Sequence, residues 1–153
     1  ATAAVESPRL VIADEPTPGL DARAAKRVLG HFRELADGGA GVLLITHDLE
    51  LALTVADRVA VFYAGVTVEE ADAADFAAGR LRHPYTKALW NALPQNGFVP
   101  IPGAQPGPGE AGEGCPFGPR CPRRGPDCLG PVPYRTWGGG LVRCLYPEGG
   151  EEP

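Results

Sequence analysis

Two adjacent carboxylates, Asp14 and Glu15, close the apolar run Leu10-Val11-Ile12-Ala13, and an imidazole, His47, follows 32 positions after Glu15. An apolar run closed by acids reads as a buried parallel strand whose carboxyl end delivers charge to the crevice where open α/β sheets bind ligands. Successive strand residues point to opposite faces, so Asp14 and Glu15 need not compete for one proton. That division suits phosphoryl transfer. Asp14 can face a Mg²⁺ bridging nucleotide phosphates while Glu15 orients and deprotonates the attacking water. A second apolar strand, Gly41-Val42-Leu43-Leu44-Ile45-Thr46, ends at His47, which could donate to the γ-phosphate. The plainer roles are a solvated acidic turn for the carboxylates and a helix-initiating residue for His47.

A second chemical cluster lies in the tail. All four cysteines, Cys115, Cys121, Cys128 and Cys144, fall within 30 residues, spaced C-x5-C-x6-C-x15-C. A loop-rich segment with few large apolar residues needs a cross-link to hold a shape. Two disulfides, a tetrahedral Zn²⁺ or an iron-sulfur cluster would each serve. Zinc favours C-x2-4-C pairs, and ferredoxin spacing does not fit either, although wider loops can wrap a cluster. Arg120, Arg123 and Arg124 stand between these cysteines, either to offset thiolate charge or as a solvated basic face.

The elements that position these groups read as alternating β and α. A strand at about 9 to 13 leads to Asp21, which can cap a helix to about 36, with Ala25, Val28, Leu29, Phe32 and Leu35 on one face and Gly38-Gly39 ending it. Strand 41–46, a helix at 49–56, strand 58–63, an Ala64-Gly65 turn and strand 66–69 follow. Helices at 71–78 and 84–93 come next, with Pro84 in a first helical turn. Of the 38 glycines and prolines, 27 lie in the last 60 residues, so the tail is loop-built. A net charge of −5 with only two lysines gives no electrostatic footprint for nucleic acid. No apolar run approaches membrane-spanning length and no signal peptide opens the chain.

Taken with their neighbours, these residues resemble a known family. Ile12-Ala13-Asp14-Glu15-Pro16-Thr17, with Gly19-Leu20-Asp21, resembles the Walker B motif and D-loop of ABC transporter ATPases, and Ile45-Thr46-His47-Asp48 resembles their switch-histidine loop. Ala56-Asp57-Arg58-Val59-Ala60-Val61-Phe62-Tyr63-Ala64-Gly65 resembles the strand pair that follows there. Arg82-His83-Pro84-Tyr85-Thr86-Lys87-Ala88-Leu89 resembles the carboxy-terminal extension of ATPase subunits from oligopeptide, dipeptide and nickel importers. Pro18 departs from the Ser or Thr usual in the D-loop. His83-Pro84-Tyr85 reads as a structural marker of the extension.

The resemblance implies an α/β fold: the carboxy-terminal part of a P-loop NTPase domain over residues 1–80, then a small loop-rich cysteine module over 81–153. It implies Glu15 and His47 as catalytic residues, Asp14 on Mg-ATP, and Asp21 both as helix cap and as a D-loop residue facing a partner ATPase. It further implies a 4Fe-4S cluster on Cys115, Cys121, Cys128 and Cys144, with Zn²⁺ as the alternative and disulfides third, since a cytosolic site is reducing. The implied partners are a second ABC ATPase subunit, transmembrane permease subunits and, indirectly, an extracytoplasmic solute-binding protein, at the cytoplasmic face of a bacterial membrane. The sequence contains no G-x-x-x-x-G-K-S/T phosphate loop and no Leu-Ser-Gly-Gly signature. The expectation is therefore the carboxy-terminal half of a longer subunit, or a truncated product, inactive alone; the alternative is a non-catalytic metal-binding interaction module.

Overall fold

The computed structural model describes residues 8–107, 109–110 and 112–149, so the outermost residues of the two expected domains, 1–7 and 150–153, lie outside it. The chain is mixed α/β and divides into two compact units between Asp57 and Arg58.

In the first unit, β1 (Leu10–Asp14) and β2 (Gly41–Ile45) pair in parallel, with Leu10 opposite Gly41 and Asp14 opposite Ile45. Parallel neighbours need a crossover, which α1 (Ala22–Asp37) supplies. The Asp21 carboxylate starts this helix by accepting the Ala24 N–H at 2.7 Å, and Gly38 and Gly39 end it by donating to Glu34 O and Ala36 O. Ala25 and Leu29 are its buried residues. Leu29 lines a small pocket with Leu44 of β2 and with Leu51 and Ala52 of α2 (Leu49–Leu53). Helix α2 stops three residues short of its expected end, because the Thr54 N–H and hydroxyl both turn back to Leu51 O. Among the described residues nothing covers the other sheet face, where Leu10, Ile12, Leu43 and Ile45 are 46–62% exposed. Of the strand expected to be buried, Ala13 is the residue that is.

The second unit is built on an antiparallel sheet of order β3-β4-β6-β5, formed by β3 (Arg58–Tyr63), β4 (Val66–Asp72), β5 (Arg135–Trp137) and β6 (Gly140–Val142). Both hairpins turn on two residues with positive φ, Ala64-Gly65 at 47° and 82° and Gly138-Gly139 at 51° and 83°. That geometry matches the twist of the flanking strands. Sequence reading grouped the β3–β4 hairpin with residues 1–80 and ended its second strand at 69. In the fold, pairing with β3 carries the strand on to Asp72, with Ala71 opposite Val59 and Asp72 opposite Arg58, while Glu69 and Glu70 pair with Val142 and Leu141 of β6 and so join the hairpin to the cysteine segment.

Helices α3 (Ala73–Ala77) and α4 (Pro84–Ala92) complete the unit, with Phe76 meeting Trp90 edge-on at 5.9 Å. Between them lies a buried ionic network. Glu69 accepts the backbone N–H groups of Arg82 at 2.9 Å and of His83 at 2.8 Å, one on each carboxylate oxygen. The Arg82 guanidinium bonds Asp75 at 2.6 Å and the Gly138 carbonyl. Arg82 therefore ties the segment before α4 to the turn between β5 and β6.

Candidate functional site

At the carboxyl edge of the first unit's sheet, the Glu15 N–H continues the β1–β2 ladder by donating to Ile45 O at 2.9 Å. Glu15 then leaves strand geometry with φ of 43°, a left-handed conformation uncommon for any residue with a Cβ and recurrent at functional sites. The turn sends its carboxylate to the end of β2. One oxygen, Oε1, accepts from the His47 backbone N–H at 3.1 Å and meets His47 Nδ1 at 2.8 Å. The other, Oε2, is buried and has no hydrogen-bond partner among the described residues. The bond to Glu15, and then its charge, hold the His47 imidazole above its ordinary pKa.

His47 is held between two well-defined termini. Thr46 Oγ1 accepts the Asp48 N–H at 3.1 Å, and Asp48 caps α2 by accepting the Leu51 N–H at 2.9 Å. Asp48 rather than His47 is thus the helix cap, and the His47 side chain is 82% exposed. Asp14 is exposed at the strand end beside this pair. Asp21 lies beyond a turn in which Pro18 and Gly19 (φ 79°) hold the central positions and the Leu20 N–H donates to Thr17 O. That turn gives Pro18 a local role, and the Asp21 carboxylate is engaged in capping α1. Glu15 and His47 are thus brought together, with Asp14 one residue away. Sequence reading gave both groups roles on a nucleotide and missed that they bond each other.

In the second unit the four cysteines are free thiols. The Cys115 N–H donates to Cys128 O at 3.0 Å, an approach so close that a Cβ on Gly114 would lie 2.3 Å from the same carbonyl. Short 3-10 turns at Gly118–Arg120 and Pro126–Leu129 carry the chain around Cys121 and Cys128, and Cys144 packs with Trp137 and Val142. Burial pushes the thiols of Cys115 and Cys121 up, and that of Cys144 up to about 11. Mutual repulsion adds to this: Cys144 feels Cys115, Cys121 and Cys128, so the four share one neighbourhood. Backbone N–H groups oppose it, those of Phe117 and Gly118 on Cys115, of Arg123 on Cys121 and of Tyr146 on Cys144.

Convergence is not ligation. Among the described residues, no three His, Cys, Asp or Glu side chains stand close enough to hold a metal ion. The expected cluster and its zinc alternative therefore receive no support from ligand spacing. A single zinc at about 2.3 Å from each sulfur would need the thiols nearly in contact with one another. Arg120 takes neither role foreseen for it: it bonds Tyr63 Oη at 3.0 Å, Ile101 O at 2.9 Å and Pro102 O at 2.8 Å, over the rings of Tyr63 and Phe117.

The segment at 82–85 also does more than mark a family. His83 is 1% exposed, caps α4 through Nδ1, and places Nε2 at 3.9 Å from Cys115 Sγ. Burial, with the nearby Arg143 charge, lowers its pKa to about 4. The only sequence signal for this contact is the helix-start pattern, which fixes the ring but not its distant neighbour.

Comparison with known proteins decides the kinship. Residues 68–128 match the family described as oligopeptide/dipeptide transporter, C-terminal region. The oligopeptide transport ATP-binding protein OppD of Mycobacterium tuberculosis is 43% identical over 136 residues, covering 84% of this chain and 22% of that protein. AppD of Bacillus subtilis, also named an oligopeptide transport ATP-binding protein, is 39% identical over 155 residues, 95% of this chain and 47% of its own length. The dipeptide transport ATP-binding protein DppD of Escherichia coli is 38% identical over 149 residues, 92% of this chain and 45% of its own length. The chain corresponds to the carboxy-terminal region of peptide ABC transporter ATP-binding proteins. It spans less than half the length of these curated relatives. Within this family the matched region runs from β4 to Cys128 and so takes in the Glu69–Arg82 network and three of the four cysteines. No helix among the described residues is long and apolar enough to cross a membrane.

Proposed function

We propose that this chain supplies the water-activating half of the ATP site in a subunit that powers peptide import. The observation that carries the reading is the bond between Glu15 and His47 across the ends of two adjacent parallel strands. Glu15, with one oxygen on His47, is the base that takes a proton from the attacking water, and Nε2 of His47 is the nitrogen left to meet the γ-phosphate. Asp14, an exposed hard-oxygen ligand at the strand end, suits Mg²⁺, whose role when bound is to neutralise phosphate charge. Asp21 would reach a second ATPase subunit through its backbone loop while its carboxylate caps α1. The partners of this reading are that second subunit and transmembrane permease subunits, served indirectly by an extracytoplasmic solute-binding protein, at the cytoplasmic face of the membrane. The chain's 153 residues include no phosphate loop, so by themselves they bind nucleotide weakly at best and do not hydrolyse it.

For the tail, the reading is that Cys115, Cys121, Cys128 and Cys144 hold a 4Fe-4S cluster, with Zn²⁺ the runner-up. Its support is the convergence of four cysteines, Cys144 buried and the others half-buried, with backbone N–H groups directed at three of the sulfurs. Such a group, when bound, cross-links loops and can exchange one electron.

The test uses the full-length subunit carrying this chain. Glu15→Gln should leave ATP binding intact and lower turnover by at least about 10²-fold, because the amide keeps the shape and loses the basicity. Turnover near wild type would remove Glu15 from the role. For the tail, anaerobic purification should give about four irons per chain, a prediction of cluster type. A single zinc would install the runner-up.

A further inference from the structure

We infer that Asn96-Gly97 is a modification site, at which the chain closes on itself to a succinimide and reopens to aspartate or isoaspartate. The chemistry needs water alone. The Gly97 backbone nitrogen attacks Cγ of Asn96, the new C–N bond closes the imide ring, and the Cγ–Nδ2 bond breaks. The displaced amino group takes up the proton that the Gly97 nitrogen gives away and leaves as ammonia. Water then opens the ring at either of its carbonyls. Glycine suits the attacking position because it has no Cβ to crowd its own nitrogen.

The structure singles out this position from others with related chemistry. Asn96 ends a short 3-10 turn, Pro94–Asn96, whose first two residues are exposed, and Gly97 follows it exposed with φ of 112°. Among the described residues the Gly97 N–H makes no capping bond, whereas the Gly130 N–H closes the turn at Pro126–Leu129 on Asp127 O. Asn96 is held by its N–H to Leu93 O at 3.0 Å and by Nδ2 to Trp90 O at 3.1 Å. Ring closure therefore requires one short turn at a helix end to open, which costs little. Asn91, the other asparagine of the chain, lies inside α4 and precedes Ala92, whose amide belongs to the helix ladder. Asp37-Gly38 could close the same ring, but the Gly38 N–H donates to Glu34 O at 3.0 Å and Arg33 grips the Asp37 carboxylate at 2.6 Å. Modification at Asn96 acts on α4. A carboxylate there has no donor for Trp90 O and sets negative charge at the negative end of the helix dipole. Isoaspartate also routes the backbone through the side chain, so the bonds from the Phe98 N–H to Leu93 O and the Val99 N–H to Asn91 O lose register.

The test is peptide mapping by mass spectrometry on the chain aged at mildly alkaline pH, in native buffer and in urea. In buffer Asn96 should gain the mass that replaces NH₂ by OH, with isoaspartate among the products, at least about 10-fold faster than Asn91. Its rate in buffer should lie within about 10-fold of its rate in urea, because the native turn opens easily. A larger suppression in buffer would mean that the turn protects Asn96, and overturns the inference. The same mass gain in Asn96→Gln, whose longer side chain is poorly placed for ring closure, places the modification elsewhere and also overturns it. Asn96→Asp carries the aspartate product from the start, and should speed amide exchange at Leu93 several-fold. Unchanged exchange there overturns the consequence for α4.

Discussion

Replacing Glu69 with Gln should destabilise the second unit far more than its isosteric shape suggests. The carboxylate is fully buried and gives one oxygen to the Arg82 N–H and the other to the His83 N–H. An amide has one oxygen, so one of those backbone donors would face an NH₂ group. An unsatisfied buried donor costs about 1–3 kcal/mol, and breaking a buried ion pair costs about 3–5 kcal/mol. Arg82 keeps Asp75 at 2.6 Å, and its own contact to Glu69 is the long one at 3.5 Å. The charge loss is therefore partial, and the expected cost is about 2–3 kcal/mol. Both tryptophans, Trp90 and Trp137, lie in this unit, so fluorescence-monitored urea unfolding reports on it selectively. With a slope of about 1.5 kcal/mol per M, the midpoint should fall by about 1.3–2 M. Glu69→Met, which satisfies neither donor, should be worse. Glu70→Gln, whose partner Arg58 is half-exposed, should cost no more than about 0.5 kcal/mol. A Glu69→Gln midpoint matching that of Glu70→Gln would refute the network as a stabilising element.

Three further outcomes follow from single contacts. Glu15→Gln should return the His47 imidazole toward its ordinary pKa of 6.5, read by NMR titration. Because the folded value is raised, the wild-type pair stabilises fully below pH 6.5 and loses that contribution as pH rises through the raised value, a dependence the variant should lack. Gly114→Ala should cost about 1–3 kcal/mol, since its Cβ would meet a backbone carbonyl that cannot give way, and should expose the cysteine segment to protease. Asp21→Ala should cost the first unit about 1 kcal/mol by loss of the α1 cap, and Asp21→Ser much less, measured by amide exchange in α1.

The sequence made the first unit legible because its signals are local. An apolar run ending in acids, a capping Asp21 and a Gly38-Gly39 stop each act within a few residues, and β1, α1 and β2 form where those signals lie. The bond between Glu15 and His47 was not legible, since it needs the parallel register that sets Asp14 opposite Ile45 and the left-handed turn at Glu15. The tail hairpin had a local signal that its composition hid: Gly138-Gly139 between Trp137 and Leu141 is a two-residue turn, but three-residue strands leave little alternation to read. Burial of Glu69 and the reach of His83 to Cys115 depend on contacts 13 or more positions apart, and no periodicity records them. Arg120 illustrates the same limit, because its partners Ile101, Pro102 and Tyr63 are chosen by the fold rather than by its neighbours among the cysteines.

The central claim is that Glu15 and His47 act as one catalytic unit, and a double-mutant cycle on ATP turnover in the full-length subunit tests it most directly. Glu15→Gln and His47→Ala should each lower turnover by about 10²–10³-fold at unchanged ATP binding. The double variant should be no slower than the worse single one, because removing either partner already disables the pair. Losses that multiply, with the double variant slower by the product of the two, would mean that the residues act independently and that their bond has no part in catalysis.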